Sequence, residues 1–342
     1  MYIFNPEHDL CLANGDIHFV PPESALAFGR DCGSITKYMH GLDSSADNGA
    51  KIVPWGWNHV LRERLLKEGV SSSILPSDEQ LDHIRLFSGR SLAFEAHEFL
   101  LGFLSRIPVS RNLYAEPSGY RKMCRSAAEL DTFLRSYENI VLKAPLSGSG
   151  KGIRFVRGAL SHSDRGWAEN LMRRYGYLVA ERRAEIMDEF AFLYEVAAGR
   201  VIFKGYSMFY SHNGVYKGNI LASDSYIEAK MAASVPRELL WGIGEGLAEF
   251  IRQRLCGKYE GFLGVDLYFY KGDDGKILCQ PVSEINLRMT MGLIARNIYD
   301  NRSTLLNMDI GEGTHAFEIC SNFPVKGSYS YRFVPACRAA SC

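Results

Sequence analysis

Apolar residues recur with two periods along this chain, and the balance between them changes about a third of the way through. In the first stretch, YIFN (2–5) and AKIVPW (50–55) are short apolar runs that read as strands. NHVLRERLLKEG (58–69) and RSLAFEAHEFLLGFLSRI (90–107) carry apolar residues three and four apart, the spacing of a helix face. In the second of these, Leu92, Ala96, Phe99, Phe103 and Ile107 share one side. Strand–helix alternation predicts a small, mostly parallel α/β domain over residues 1–108. IPVSRNLYAEPSG (107–119), with two prolines among polar residues, reads as a linker.

Beyond it the pattern is dominated by period two. NIVLKAP (139–145) and GIRFV (152–156) are β-rich runs. DEFAFLYEVAAGRVIFKGYSMF (188–209) alternates, breaks at Ala198-Gly199 and resumes, which predicts a hairpin. GVDLYFYKGDDGKILCQPVSEINLR (264–288) predicts another, turning at Asp274-Gly275. Between them lies a helix with Pro236 in its first turn, a Leu240, Ile243, Leu247, Ile251 stripe, and Gly257 just past its end. The later part of the chain is therefore α+β, and the contrast predicts at least two domains.

Two patterns carry candidate chemistry. The first is VLKAPLSGSGKGIRFV (141–156), a strand lysine followed by a glycine-rich loop. A P-loop needs glycine five residues before the GK pair and Ser or Thr after it, with a helix following. Pro145 and Gly152 occupy those positions, and a β-run follows, which excludes both a P-loop and a dinucleotide fingerprint. Two readings stay open: a hairpin whose backbone N–H groups cover a polyphosphate, with Lys143 neutralising its oxygens, or a solvated hairpin tip.

The second is the 264–288 hairpin. Asp266 shares a strand face with Tyr268 and Tyr270, and Glu284, Asn286 and Arg288 share a face of the return strand. Folding about Asp274 sets Asp266 across from Glu284. Two carboxylates so placed repel unless a cation lies between them. Two carboxylates and an amide oxygen suit Mg²⁺ held jointly with phosphate, and Arg288 suits a bidentate phosphate grip. The competing reading is a wet outer sheet face.

Composition narrows the classes further. The 342 residues include 39 Lys+Arg and 39 Asp+Glu, so no basic excess argues for nucleic acid or an anionic membrane. Eight cysteines are scattered without zinc spacing. No apolar run approaches a membrane span, and the opening MYIFNPEHDL lacks the pattern of a signal peptide, so a cytoplasmic location is expected.

With Lys143, the glycine hairpin and GVD…EINLR in this order, the region from about Val109 to Arg288 resembles the ATP-grasp superfamily. The resemblance implies an ATP-grasp fold: an N-terminal α/β domain over 1–108, a lid over 109–180 carrying the glycine-rich loop, and a C-terminal α+β subdomain over 181–342. It implies ATP as a ligand, with one or two Mg²⁺ ions for which Mn²⁺ can substitute. Lys143 and the loop Ser147, Gly148, Ser149, Gly150, Lys151 and Gly152 would meet the phosphates. Ala180, Glu181, Arg182 and Arg183 would lie by adenine, and Asp188, with Glu185 and Glu189 as rivals, by the ribose. Asp266, Glu284 and Asn286 would hold metal, and Arg288 and Lys143 would act on the transferred phosphate. The second lysine common in the superfamily has no clear match, Arg121 and Lys122 being the nearest basic residues. Gly264 stands where one branch of the superfamily, D-alanine–D-alanine ligase, has arginine.

The implied reaction is ligation of a small-molecule carboxylate to an amine or thiol through an acylphosphate. A kinase on the same scaffold and a nucleotide-binding protein without turnover are the alternatives, and a homodimer is compatible with either. His8 and Asp9, just past the first strand, are candidates for contact with a second substrate or for a plain helix start. Tyr216, Lys217 and Asn219 belong either to a substrate loop facing the lid or to a hairpin turn at Asn213-Gly214. Trp55 and Trp57 read as core aromatics.

Overall fold

The computed structural model of the chain describes residues 1–42, 51–107, 120–147, 152–321 and 328–336. Strand β1 (Tyr2–Ile3) leads into helices α1 (His8–Asn14) and α2 (Glu23–Asp31), and β2 (Val53–Pro54) returns beside β1 in parallel. The Asn5 side chain locks this pair by donating to the Gly56 carbonyl at 2.8 Å. Helices α3 (His59–Lys67), α4 (Asp78–Phe87) and α5 (Arg90–Leu104) follow. Asn58 caps α3, and Ser77 with Gln80 forms a capping box on α4, so each start is written in local sequence.

Among the described residues before 108, the parallel strand content is this two-residue pair alone. The stretch is mainly helical because its apolar faces have other partners. Leu92, Ala96, Leu100 and Leu104 of α5 lie fully buried in the core of the sheet described below, and Phe4 and Trp55 sit in a second core on that sheet's other face.

Strands β3 (Arg121–Cys124), β4 (Asn139–Lys143), β5 (Ile153–Arg157) and β6 (Leu178–Arg182), with α6 (Ala127–Ser136) and α7 (His162–Tyr175), form a compact four-stranded unit ordered β3-β6-β4-β5. All its strand pairs are antiparallel. Its core of Leu130, Phe133, Ile140, Leu142, Leu171 and Leu178 is its own.

The rest is a larger antiparallel sheet. It comprises β7 (Glu185–Ala197), β8 (Arg200–His212), β9 (Val215–Leu221), β10 (Gly261–Lys271), β11 (Ile277–Asn286), β12 (His315–Ser321) and β13 (Tyr329–Pro335). Helices α8 (Asp224–Ala232), α9 (Arg237–Leu255) and α10 (Met291–Asp300) flank it. The order β11-β10-β7-β8-β9-β12-β13 places the metal-candidate hairpin at one edge. Ala198 and Gly199 both take left-handed backbone angles (φ 49° and 71°), the mirror-image turn that matches strand twist.

Alternation along β7 splits the molecule into layers. Phe190, Phe192 and Tyr194 face α5 and α9, whereas Ala191 and Leu193 face α10 and the β1–β2 region. Two glycines let α9 approach α5: a side chain at Gly242 would collide with Ile107, and one at Gly246 with Leu100. Among the described residues no helix is long and apolar enough to cross a membrane.

Candidate functional site

The β10–β11 register pairs Asp266 directly with Glu284, and Gly264 with Asn286, as the alternation of the sequence requires. Asn286 donates its amide to Asp266 Oδ2 at 3.0 Å. Burial, reinforced by the Glu284 charge opposite, pushes the Asp266 carboxyl up to about 8, although Arg288 pulls the other way. The repulsion between two opposed carboxyls is what a cation between them would relieve. Among the described residues no group of three or more His, Cys, Asp and Glu side chains is arranged to hold a metal ion. The donor set is instead two carboxylates and the Asn286 amide oxygen, an all-oxygen set that fits Mg²⁺ sharing its shell with phosphate and water.

Among the described residues, the cations around this pair are themselves paired. Arg90, at the start of α5, approaches Glu284 Oε1 at 3.1 Å and donates through Nε to the Ala144 carbonyl at 3.0 Å. Its backbone N–H donates to the Pro145 carbonyl, so one residue joins the neck of the glycine loop to the acidic hairpin. Lys143, at the end of β4, forms an ion pair with Glu181 of β6. Burial alone would raise the Glu181 carboxyl, yet Lys143, Arg121 and Arg90 together hold it below its ordinary value. Arg288 lies against Asp9, with Nε to Oδ1 at 3.0 Å and Nη2 to Oδ2 at 3.0 Å.

The expected loop residues Gly148, Ser149, Gly150 and Lys151 lie outside the described residues. Its two ends are described. Ala144 N–H donates to the Gly152 carbonyl at 2.8 Å, and a Cβ at Gly152 would collide with that of Ser147, so only glycine lets the neck close this tightly. Ser147 then lines a narrow crevice with Asp9, Leu12, Ser88, Glu284 and Asn286.

The remaining sequence candidates fall in several places. Arg182 is tied to Asp273 at the β10–β11 turn, with Nη1 donating to Oδ2 at 2.8 Å. The Arg183 guanidinium lies over the Phe155 ring, 5.0 Å from its centre. Ala180 is committed to sheet pairing with Leu142 and Lys122. Asp188 pairs with Phe269 and so lies on the face packed by α5 and α9, opposite Asp266. Glu189, its rival, pairs with Tyr268 on the Asp266 face and accepts from Ser211 N at 2.9 Å. Burial raises its carboxyl despite those bonds. Glu185, at the start of β7, is exposed.

Arg121 does not reach the crevice. It is buried, donating to the carbonyls of Val282 at 2.6 Å and Ala93 at 3.0 Å, and Lys122 beside it is exposed. Arg90 is the residue sequence reasoning missed. Its signal was faint: a polar residue opening an amphipathic helix just after Ser88-Gly89, which reads equally well as a solvated first turn.

Asn213 and Gly214 form the hairpin turn between β8 and β9, and the tip lies beside Ile153 and Phe155 of the four-stranded unit. Tyr216 donates to Asn219, whose amide donates to Ser207 Oγ at 2.9 Å, and Lys217 points to solvent. Trp55 is buried, with Arg288 5.8 Å above its ring, and Trp57 packs on the α5–α9 core.

A four-stranded unit carrying Lys143, a larger antiparallel sheet carrying the opposed Asp266 and Glu284, and a crevice between them complete the arrangement. Among solved structures similar to this chain is the ADP complex of N5-carboxyaminoimidazole synthetase from Staphylococcus aureus, 15% identical over 93% of this chain and 74% of that one (TM-score 0.42). The ATP complex of carboxyaminoimidazole ribonucleotide synthase from Aspergillus clavatus is 15% identical over 93% and 81% (TM-score 0.40). The biotin carboxylase domain of Hydrogenobacter thermophilus 2-oxoglutarate carboxylase, with MgADP and bicarbonate, is 14% identical over 88% and 63% (TM-score 0.45). No family model and no curated protein matches the sequence.

Proposed function

We propose that this chain is an ATP- and Mg²⁺-dependent ligase that joins a carboxylate to an amine or thiol through an acylphosphate, with its site between lid and hairpin. The observation that carries the reading is the Asp266–Glu284 pair, set directly opposite on adjacent strands and ringed by Arg90, Arg288 and Asn286. As a wet surface this face would have no need of half-buried, directly opposed acids. As a composite metal–phosphate site it needs all of them.

Asp266, Glu284 and Asn286 would hold the ion, whose chemistry is to neutralise phosphate oxygens so that a carboxylate can approach. Lys143 and Arg90 stand at the neck of the loop, where they would exchange their carboxylate partners for phosphate. Arg288 would grip an oxygen on the far side. Glu189, on the Asp266 face beside the lid strand, is the carboxylate placed to accept from ribose hydroxyls. Closing the lid would exclude water from the activated carboxylate, and the amine or thiol then displaces phosphate. No side-chain nucleophile is required.

The test is thermal melting with a non-hydrolysable ATP analogue, with and without Mg²⁺. Ligand at about 100-fold over its dissociation constant adds about 2.7 kcal/mol, an upward shift of a few degrees. A shift that needs Mg²⁺ supports the composite site, and phosphate release on adding a carboxylate and an amine together separates ligase from kinase. No shift at millimolar analogue defeats the reading.

A further inference from the structure

Arg288 has two hydrogen-bonding edges, and they have different partners. The Nε/Nη2 edge faces the Asp9 carboxylate, with three contacts between 3.0 and 3.1 Å. The Nη1/Nη2 edge faces the Met289 carbonyl and the Asn286 amide oxygen, each at 3.1 Å. The first edge meets a charge in bidentate geometry, and the second meets two neutral acceptors. An incoming phosphate outcompetes neutral acceptors far more easily than a carboxylate. The edge pointing past Asn286 is therefore the one free to take a ligand while Asp9 keeps its hold.

Asp9 sits in the first turn of α1, and the other end of this short helix is gripped by the lid. Tyr175, the last residue of α7, donates its hydroxyl to the Ala13 carbonyl at 2.8 Å. Arg174 donates to the carbonyls of Ala13 and Asn14, both at 3.2 Å. Arg85 of α4 donates to the Leu12 carbonyl at 2.8 Å. Seven residues of helix, about 10 Å long, thus connect the lid to the arginine.

We propose that Asp9 is a positioning residue that backs Arg288 so that its free edge faces a bound phosphate, and that α1 makes this hold depend on the lid. The inference rests on the nucleotide reading above. It assigns to His8–Asn14 a part in the site that is neither substrate contact nor a plain helix start.

The experiment compares the full-length chain with Asp9→Asn, with the lid-end pair Arg174→Ala/Tyr175→Phe, and with all three changes together. Binding is measured by calorimetry for the Mg²⁺ complex of a non-hydrolysable ATP analogue, and for adenosine by competition. Asp9→Asn is expected to weaken the analogue about tenfold, the scale of one charge-assisted hydrogen bond, and to leave adenosine unchanged. The lid-end pair is expected to weaken the analogue several-fold, and to add nothing once Asp9 is replaced.

If the wild type binds no analogue, the nucleotide reading falls and the inference with it. If the wild type binds and Asp9→Asn binds as well or more tightly, Asp9 only competes for the arginine, and the positioning role is overturned. Equal losses for adenosine and analogue would mean a merely structural role and overturn it too. Arg174 is exposed and Tyr175 only half-buried, so the lid-end pair decides the matter if Asp9→Asn fails to fold: unchanged analogue affinity there removes the coupling.

Discussion

Glu284 and His8 show how differently two polar side chains answer to their surroundings. Glu284→Gln keeps the shape and still accepts from Arg90, yet removes one of the two charges proposed to hold metal. The variant is expected to melt close to the wild type without ligand and to lose the Mg²⁺-dependent part of the analogue shift; a melting series with and without Mg²⁺ reads both. His8 is buried against Asn58, its Nδ1 3.1 Å from the Asn58 amide. Burial lowers its imidazole to about 4, well under the value of about 6.5 in the unfolded chain. The unfolded state therefore binds the proton first, and the neutral ring's contribution is lost as pH falls from 6.5 towards 4. Up to about 3 kcal/mol of stability should go in that window, and His8→Gln should flatten it in urea titrations run at pH 4.5 and 7.

Most elements were legible because their reasons are local. The Asp266–Glu284 register follows from alternation on both sides of one turn, and the 236–257 helix follows from a stripe, a proline and a glycine. The partners of Arg90, Arg288 and Lys143 were not legible, since each is an acid whose neighbourhood only the fold creates; Asp9 lies 279 positions from Arg288. Sequence position suggests Asp188 or Glu189 without saying which sheet face either takes, since a single step along a strand reverses the face. For residues 1–108, YIFN and AKIVPW do give a parallel strand pair among helices, but one only two residues long, because the neighbouring helices bury their faces on the larger sheet. At the level of elements, the α5–α9 contact has a sharp dependence on small residues. Gly246→Val should push α9 off Leu100 and Phe103 and cost about 1–3 kcal/mol, checked by urea unfolding.

Across the whole molecule the two cores behave differently. The four-stranded unit encloses its own apolar cluster, whereas α5 shares one with β7, β10 and α9. Hydrogen exchange should show amides of the four-stranded unit opening at lower free energy than those of β7 and β10. A chain begun at residue 108 would leave the sheet without Leu92, Ala96, Leu100 and Leu104, and is expected not to give a cooperative melt by circular dichroism.

The α5 stripe has a bearing on synthesis. The partners of Leu100 on α9 leave the ribosome about 150 residues after it does. At roughly 5–20 residues per second, that is about 10–30 s during which the α9-facing side of this fifteen-residue helix lacks its partner. Through that interval the nascent chain presents a sticky face to its surroundings, and holding chaperones should improve its yield more than a lower growth temperature that also slows translation.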